Sequence, residues 1–124
     1  MNIVDSSGWL EYFAAGTNAD FFAPAIRAVS ELLVPSISLY EVFKRILQQR
    51  TESEALRAAA LMMQGSVVDL TAPIALNAAV LSLRGRLPMA DSLMLATAQA
   101  FNATLWTQDA DFEDLPGVRY IQKR

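Results

Sequence analysis

Asn2-Ile3-Val4-Asp5-Ser6-Ser7-Gly8-Trp9-Leu10-Glu11-Tyr12-Phe13 decides how the rest of the chain is read. Asn2 to Asp5 is a short apolar run that ends on an acid, and Ser6-Ser7-Gly8 behind it is turn-prone. Trp9, Leu10, Tyr12 and Phe13 then recur at helical spacing until Gly16. A buried strand that passes at once into a helix is the first half of a strand-helix-strand unit, and such units build parallel sheets.

The alternation continues outward from that stretch. A second helix is expected over about Phe21 to Val29, with Pro24 entering or kinking it, and Leu32-Leu33-Val34 reads as a buried strand closed by Pro35. A helix is predicted from Ser38 to about Gln49. Thr51 with Glu54 has the form of a capping box opening a helix through Met63, stopped by Gly65. Val67 to Leu70 makes a third strand. Pro73 fits the first turn of a helix running to about Leu83, and Arg84-Gly85-Arg86 breaks it. Met89 to Phe101 follows Pro88 as another helix, Thr104 to Thr107 is the fourth strand, and Val118 to Ile121 is a last short apolar run. The order predicts an α/β sandwich with a largely parallel central sheet of four to five short strands flanked by helices. No repeat or linker interrupts it, so residues 1–124 are expected to form one domain.

Composition removes whole classes of chemistry. The 124 residues include no cysteine and no histidine, which excludes disulfides, thiolate sites, imidazole bases and ordinary zinc centres. Any metal must be held by oxygen. Ten Lys and Arg against thirteen Asp and Glu leave a net charge of -3, which at face value argues against a nucleic-acid partner. No apolar run is long enough to span a bilayer, and Met1 to Asp5 lacks the basic region and apolar stretch of a signal peptide. A cytoplasmic protein is therefore expected, and the 53% hydrophobic content suggests that some apolar surface covers an interface.

In an open parallel sheet the ligand crevice lies outside the carboxyl ends of the strands. Asp5 ends the first strand, Glu41 falls in the first turn of the helix after the second, Asp91 opens the helix before the fourth, and Asp109 follows the fourth; Asp111 is a fifth candidate. Each has a bland alternative. Asp5 can cap the next helix, Ser38 and Glu41 match a capping box, Asp91 suits a positive helix end, and Asp109 with Asp111 can hold an Asx turn. Asp69, after the third strand, reads as a turn residue. Gathered at one apolar edge, however, such acids repel and raise one another's pKa unless they share a cation. All-oxygen ligands suit magnesium or manganese, and hence metal-assisted phosphoryl chemistry.

At this point the sequence resembles the PIN-domain ribonucleases, and especially the VapC-type toxins of bacterial toxin-antitoxin pairs. The resemblance spans nearly the whole chain. It rests on Asn2 to Glu11, on Val34-Pro35-Ser36-Ile37-Ser38-Leu39-Tyr40-Glu41-Val42, on Met89-Ala90-Asp91-Ser92-Leu93-Met94-Leu95-Ala96-Thr97-Ala98 and on Leu105-Trp106-Thr107-Gln108-Asp109-Ala110-Asp111-Phe112. It implies catalytic, metal-binding acids at Asp5, Glu41, Asp91 and Asp109, with Asp111 either ligating or capping its turn. Ser6 and Thr107 match small hydroxyl residues that orient a carboxylate or phosphate oxygen. The resemblance further implies Mg2+ or Mn2+ as cofactor, RNA as substrate with 5′-phosphate and 3′-hydroxyl products, a homodimer, and a small VapB-like antitoxin seated in a groove of the early helices.

Lys44, Arg84 and Arg86 are candidate contacts to RNA phosphates, set against the ordinary reading of a solvated helix face. The aromatic group Trp9, Tyr12, Phe13, Phe21 and Phe22 has the spacing of core or interface packing rather than a base-stacking platform. Rival readings are a metal-dependent phosphatase or a phospho-receiver, both short of the acids or lysine they need, and a noncatalytic binding module whose acids only cap and turn. With the four proposed ligands set aside, nine acids face ten bases, so the chain outside the site is +1 and the apparent objection to RNA disappears.

Overall fold

The computed structural model describes residues 1–124. Five strands form one sheet: β1 (Asn2–Val4), β2 (Leu32–Pro35), β3 (Ser66–Val68), β4 (Thr104–Thr107) and β5 (Val118–Tyr120). Their order is β3-β2-β1-β4-β5, and every pairing is parallel. The helices are α1 (Ser6–Phe13), α2 (Ala19–Arg27), α3 (Ser36–Gln49), α4 (Glu52–Met62), α5 (Ala72–Gly85) and α6 (Met89–Ala100). This is the α/β sandwich that the alternation predicts, with five strands, within the four to five expected.

Side chains that alternate across the central strands divide the core in two. Val4, Leu32, Val34 and Trp106 join Trp9, Phe22 and Val42 on one face, while Ile3, Leu33 and Leu105 join Met94, Leu95 and Phe112 on the other. Both faces are covered, so β2 and the middle of β1 and β4 are apolar, as buried parallel strands are, with Asn2, Thr104 and Thr107 at the strand ends. Helix α5 packs mainly on α6, Ile74 and Ala78 against Ala96, with Leu81 reaching the core that includes Ile3, Leu33 and Leu105. The aromatic group behaves as core: Trp9 and Phe22 are fully buried, and Phe13 stacks on Trp9 with ring centroids 5.7 Å apart.

The differences from expectation lie at element ends. Helix α3 starts at Ser36, two residues early, because Pro35 already has an extended backbone and serves as its N-cap, while the Ser38 hydroxyl donates to the Pro35 carbonyl at 2.7 Å. Helix α2 ends at Arg27 and is followed by a 3-10 turn at Val29–Glu31, with Pro24 inside the helix. Strand β3 stops at Val68 rather than Leu70. Helix α5 runs on through Gly85, and the chain reverses at Arg86 in a left-handed conformation, φ 55°. Thr51 caps α4 as expected, accepting from the Glu54 N–H at 3.1 Å.

Gly8 is where α1 lies close against β1 and α2. A Cβ there would stand 2.6 Å from Phe22 Cε1 and 2.7 Å from Val4 Cγ1, so α1 lies against the sheet only because position 8 has no side chain. Gly8→Ala should lower the unfolding free energy by about 1–3 kcal/mol, the usual cost of overpacking. A lower denaturant midpoint at constant m-value is the expected readout.

Candidate active site

Parallel strands put all their carboxyl ends at one edge. Strands β2 and β3 lie to one side of β1 and β4 and β5 to the other, so the topological switch point falls between β1 and β4. Asp5 and Thr107 leave the sheet there side by side, and the Asp5 N–H donates to the Trp106 carbonyl at 3.1 Å.

Asp5 is 4% exposed. Its Oδ1 accepts from the Gly8 N–H at 2.8 Å and the Ser7 hydroxyl at 2.9 Å, and its Oδ2 accepts a short bond from the Thr107 hydroxyl. The cap reading of this acid therefore holds, but it leaves open why a carboxylate is buried. Burial pushes its pKa up from 3.8 to about 6 against the lowering effect of those three donors, with a smaller push from Asp109.

Asp91 sits in the first turn of α6, half-buried. Oxygens of Asp91, Asp109 and Asp111 all lie within 4.8 Å of one another. Burial first, then the negative charges of Asp109, Asp111 and Asp5, raise Asp91 from 3.8 to about 7. Asp109 caps a 3-10 turn at Ala110–Phe112, where its Oδ1 accepts from the Asp111 N–H at 2.9 Å, and its own N–H donates to Thr107 Oγ1 at 2.9 Å. The Asx turn is thus present, and it is what brings Asp111 into the cluster.

Glu41 stands apart from the three clustered carboxylates. It occupies the second turn of α3, and its Oε1 accepts from the Ser6 hydroxyl at 2.6 Å. The capping-box alternative fails, since the helix begins before Ser38 and Glu41 is turned toward the start of α1. Ser6 and Thr107 both donate to carboxylates, Ser6 to Glu41 and Thr107 to Asp5. Lys44 is exposed and leans over Tyr40, its Nζ 3.3 Å from the phenol oxygen. Arg84 and Arg86 are exposed at the end of α5.

Sequence reasoning passed over Ser7, which holds Asp5, and the buried amides Asn18 and Gln108, which no motif flags. Residues of α1, α3 and α4 enclose a groove of about 790 Å3 beside the site, whose lining the sequence reading of a groove among the early helices did not specify. Ser7 and Gln108 form the groove's inner end; Leu10, Phe13, Ile46 and Leu61 give it apolar walls; and Arg45, Arg50, Arg57 and Lys123 outnumber Glu11 and Glu54 on it.

The fold is a parallel α/β sheet with carboxylates gathered at its switch point. The chain belongs to the PIN-domain family, whose family model matches residues 3–118. No curated protein matches the chain by sequence. Among solved structures it is similar to a toxin-antitoxin complex from Klebsiella pneumoniae, at 21% identity and TM-score 0.82 over 96% of each chain. VapBC2 from Rickettsia felis, bound to a DNA fragment from the promoter, matches at 14% identity and TM-score 0.75 over 98% of this chain and 97% of that one. VapC20 of Mycobacterium tuberculosis, described as a sarcin-ricin loop cleaving toxin, matches at 19% identity and TM-score 0.74 over 90% and 92%. At these identities the likeness is one of fold.

The raised Asp5 pKa fixes a sign. Between the unfolded value of 3.8 and the folded value of about 6, the folded chain keeps a proton that the unfolded chain has lost, so Asp5 makes the cation-free protein less stable as pH rises. In chelator, Asp5→Asn should gain on the unaltered protein from about pH 4 to about pH 7 and keep a constant lead above that. Parallel thermal melts across this range check it, and a lead that shrinks with pH would show the opposite sign.

Proposed function

We propose that this chain, acting as one nuclease domain, is a divalent-metal-dependent endoribonuclease and the toxin of a toxin-antitoxin pair, which inhibits translation or growth by hydrolysing RNA. The observation that carries this reading is the convergence of the Asp91, Asp109 and Asp111 carboxylates beside buried Asp5 at the β1/β4 switch point. The donor set fits the ion: oxygens on opposite sides of a magnesium ion stand about 4.2 Å apart, within the spread of this cluster. Asp5, Asp91 and Asp109, with Asp111 at the outer side and Glu41 joined through Ser6, would hold it. When bound, Mg2+ or Mn2+ lowers the pKa of water and offsets negative charge on a phosphodiester.

The chain's own residues account for the rest. Thr107 holds Asp5 and the Asp109 backbone in one register, while Ser7 and Gly8 fix the other Asp5 oxygen, so these carboxylates are oriented before any ligand arrives. Asp109 and Asp111 crowd negative charge around Asp91, enough with burial to raise its pKa to about 7, so the cation-free site disfavours a further anion. A phosphodiester is therefore accepted only together with the metal. In-line attack by water that breaks the P–O3′ bond, with the departing 3′ oxygen taking up a proton, leaves a 5′-phosphate and a 3′-hydroxyl, the outcome that the family resemblance implies.

The likeness in fold to the Klebsiella toxin-antitoxin complex and to the Mycobacterium sarcin-ricin loop cleaving toxin supports the toxin reading. The groove is the proposed seat of a VapB-like antitoxin segment, its apolar walls and surplus of basic side chains suiting an amphipathic, acidic peptide. Leu76, Val80 and Leu83, spaced along α5 and exposed, supply an apolar stripe for a homodimer. No helix is long and apolar enough to cross a membrane, and the proposed site of action is the cytoplasm.

Asp91→Asn should reduce Mn2+-dependent RNA cleavage at least about 100-fold, the upper end of what even outer-shell changes cost at metal sites. Mapping of new 5′-phosphate RNA ends after induced expression checks this. Cleavage that survives excess chelator, or that persists in Asp91→Asn, would refute the mechanism, and absence of Mn2+ binding in calorimetry would favour the noncatalytic module. If Arg84 and Arg86 each meet a phosphate, replacing both by alanine should flatten the plot of log affinity against log salt by about 1.4 for single-stranded RNA. Mn2+ binding should be unchanged in that variant.

A further inference from the structure

Gln108 lies between two site residues yet points away from the carboxylates. Thr107 before it binds Asp5, Asp109 after it belongs to the acid cluster, and the Gln108 side chain turns to the opposite side, where it lines the inner end of the groove. It is 4% exposed. A buried amide without partners costs stability, and this one has a partner as deeply buried as itself. The Asn18 Nδ2, on a residue 2% exposed, donates to Gln108 Oε1 at 2.9 Å and to the Gln122 carbonyl at 3.1 Å. Gln108 Nε2 also reaches the Ser7 carbonyl at 3.5 Å, the long end of a hydrogen bond.

These contacts join segments far apart in sequence: the start of α1, the residue before α2, the exit of β4 and the C-terminal tail. Past Thr107 the chain has left the sheet, and the Asp109 backbone has only the Thr107 hydroxyl and its own 3-10 turn to hold it on the carboxylate side. The Asn18–Gln108 pair holds the same backbone from the other side.

Resting on the metal-site reading above, we propose that Gln108 is a positioning residue, which with Asn18 sets where Asp109 stands relative to Asp5 and Asp91 and so sets the affinity of the site for its divalent cation. It touches neither ion nor substrate. Its effect is on the direction of the chain at Asp109, and breaking the pair lets that direction vary.

Mn2+ titration calorimetry on the full chain tests this, at a temperature where metal-free melts show every variant folded. Gln108→Met keeps length and loses both polar contacts, and Asn18→Ala leaves Gln108 in place should Gln108→Met fail to fold. Each is expected to raise the Mn2+ dissociation constant about tenfold, as outer-shell changes do at metal sites. The double variant should be no weaker than the more affected single one, because the two act as a unit. Met62→Ala, a cavity in the core beneath α4, should lower the melting temperature without moving the constant. Unchanged Mn2+ affinity in both single variants, or a shift in Met62→Ala matched to its loss of stability, would overturn the proposal while leaving the metal site standing. Failure of the unaltered protein to bind Mn2+ would remove both.

Discussion

The Thr107 hydroxyl is the point on which the site turns. It donates to the buried Asp5 carboxylate and accepts from the Asp109 N–H, so one oxygen ties together the exits of two adjacent parallel strands. That contact exists because β1 and β4 pair in register, Val4 with Trp106, which brings Asp5 and Thr107 out of the sheet together. Helix α6 adds Asp91 from outside, and the turn after Asp109 adds Asp111. Every other feature of the edge, from the Ser7 and Gly8 contacts to the Asn18–Gln108 pair behind it, acts to hold this arrangement still.

Such an arrangement costs stability until something offsets it. Two half-buried carboxylates within 4.8 Å repel by about 3 kcal/mol at an effective dielectric near 20. That is a sizeable part of the 5–15 kcal/mol that holds an ordinary domain together. A core of two well-filled layers, with Trp9, Phe22 and Phe112 fully buried, is what allows the fold to carry it. The proton on Asp91 near neutrality and a divalent cation are two ways of relieving the same repulsion, and only the cation also draws in a phosphodiester.

Much of this was legible in the sequence. The strand-turn-helix pattern of Asn2 to Phe13 and its repetition gave the parallel sheet, because buried parallel strands must be apolar and each must be followed by a covering helix. Asp5 and Asp109 were legible as acids just past strand ends and Asp91 as an acid in a helix's first turn, since position relative to an element's end needs no tertiary information. Glu41 was selected by the same rule, but its competing role as a helix cap could be dismissed only once α3 was seen to start at Ser36 and Ser6 to meet the glutamate. Asp111 was the converse: an uncertain acid that the Asx turn at Asp109 places in the cluster.

By itself, then, the sequence determined the α/β class, the order of elements and the acids available at the carboxyl edge, because hydrophobic period and chain order are local properties. It also determined that any metal here is held by oxygen, since no sulfur or imidazole ligand is present. Only the tertiary structure decided which acids meet. The groove lined by Arg45, Arg50, Arg57 and Lys123, and the pairing of Asn18 with Gln108 across ninety residues, come from packing between remote elements. Such contacts depend on where helices settle on the sheet, and no periodicity or spacing in the chain records that.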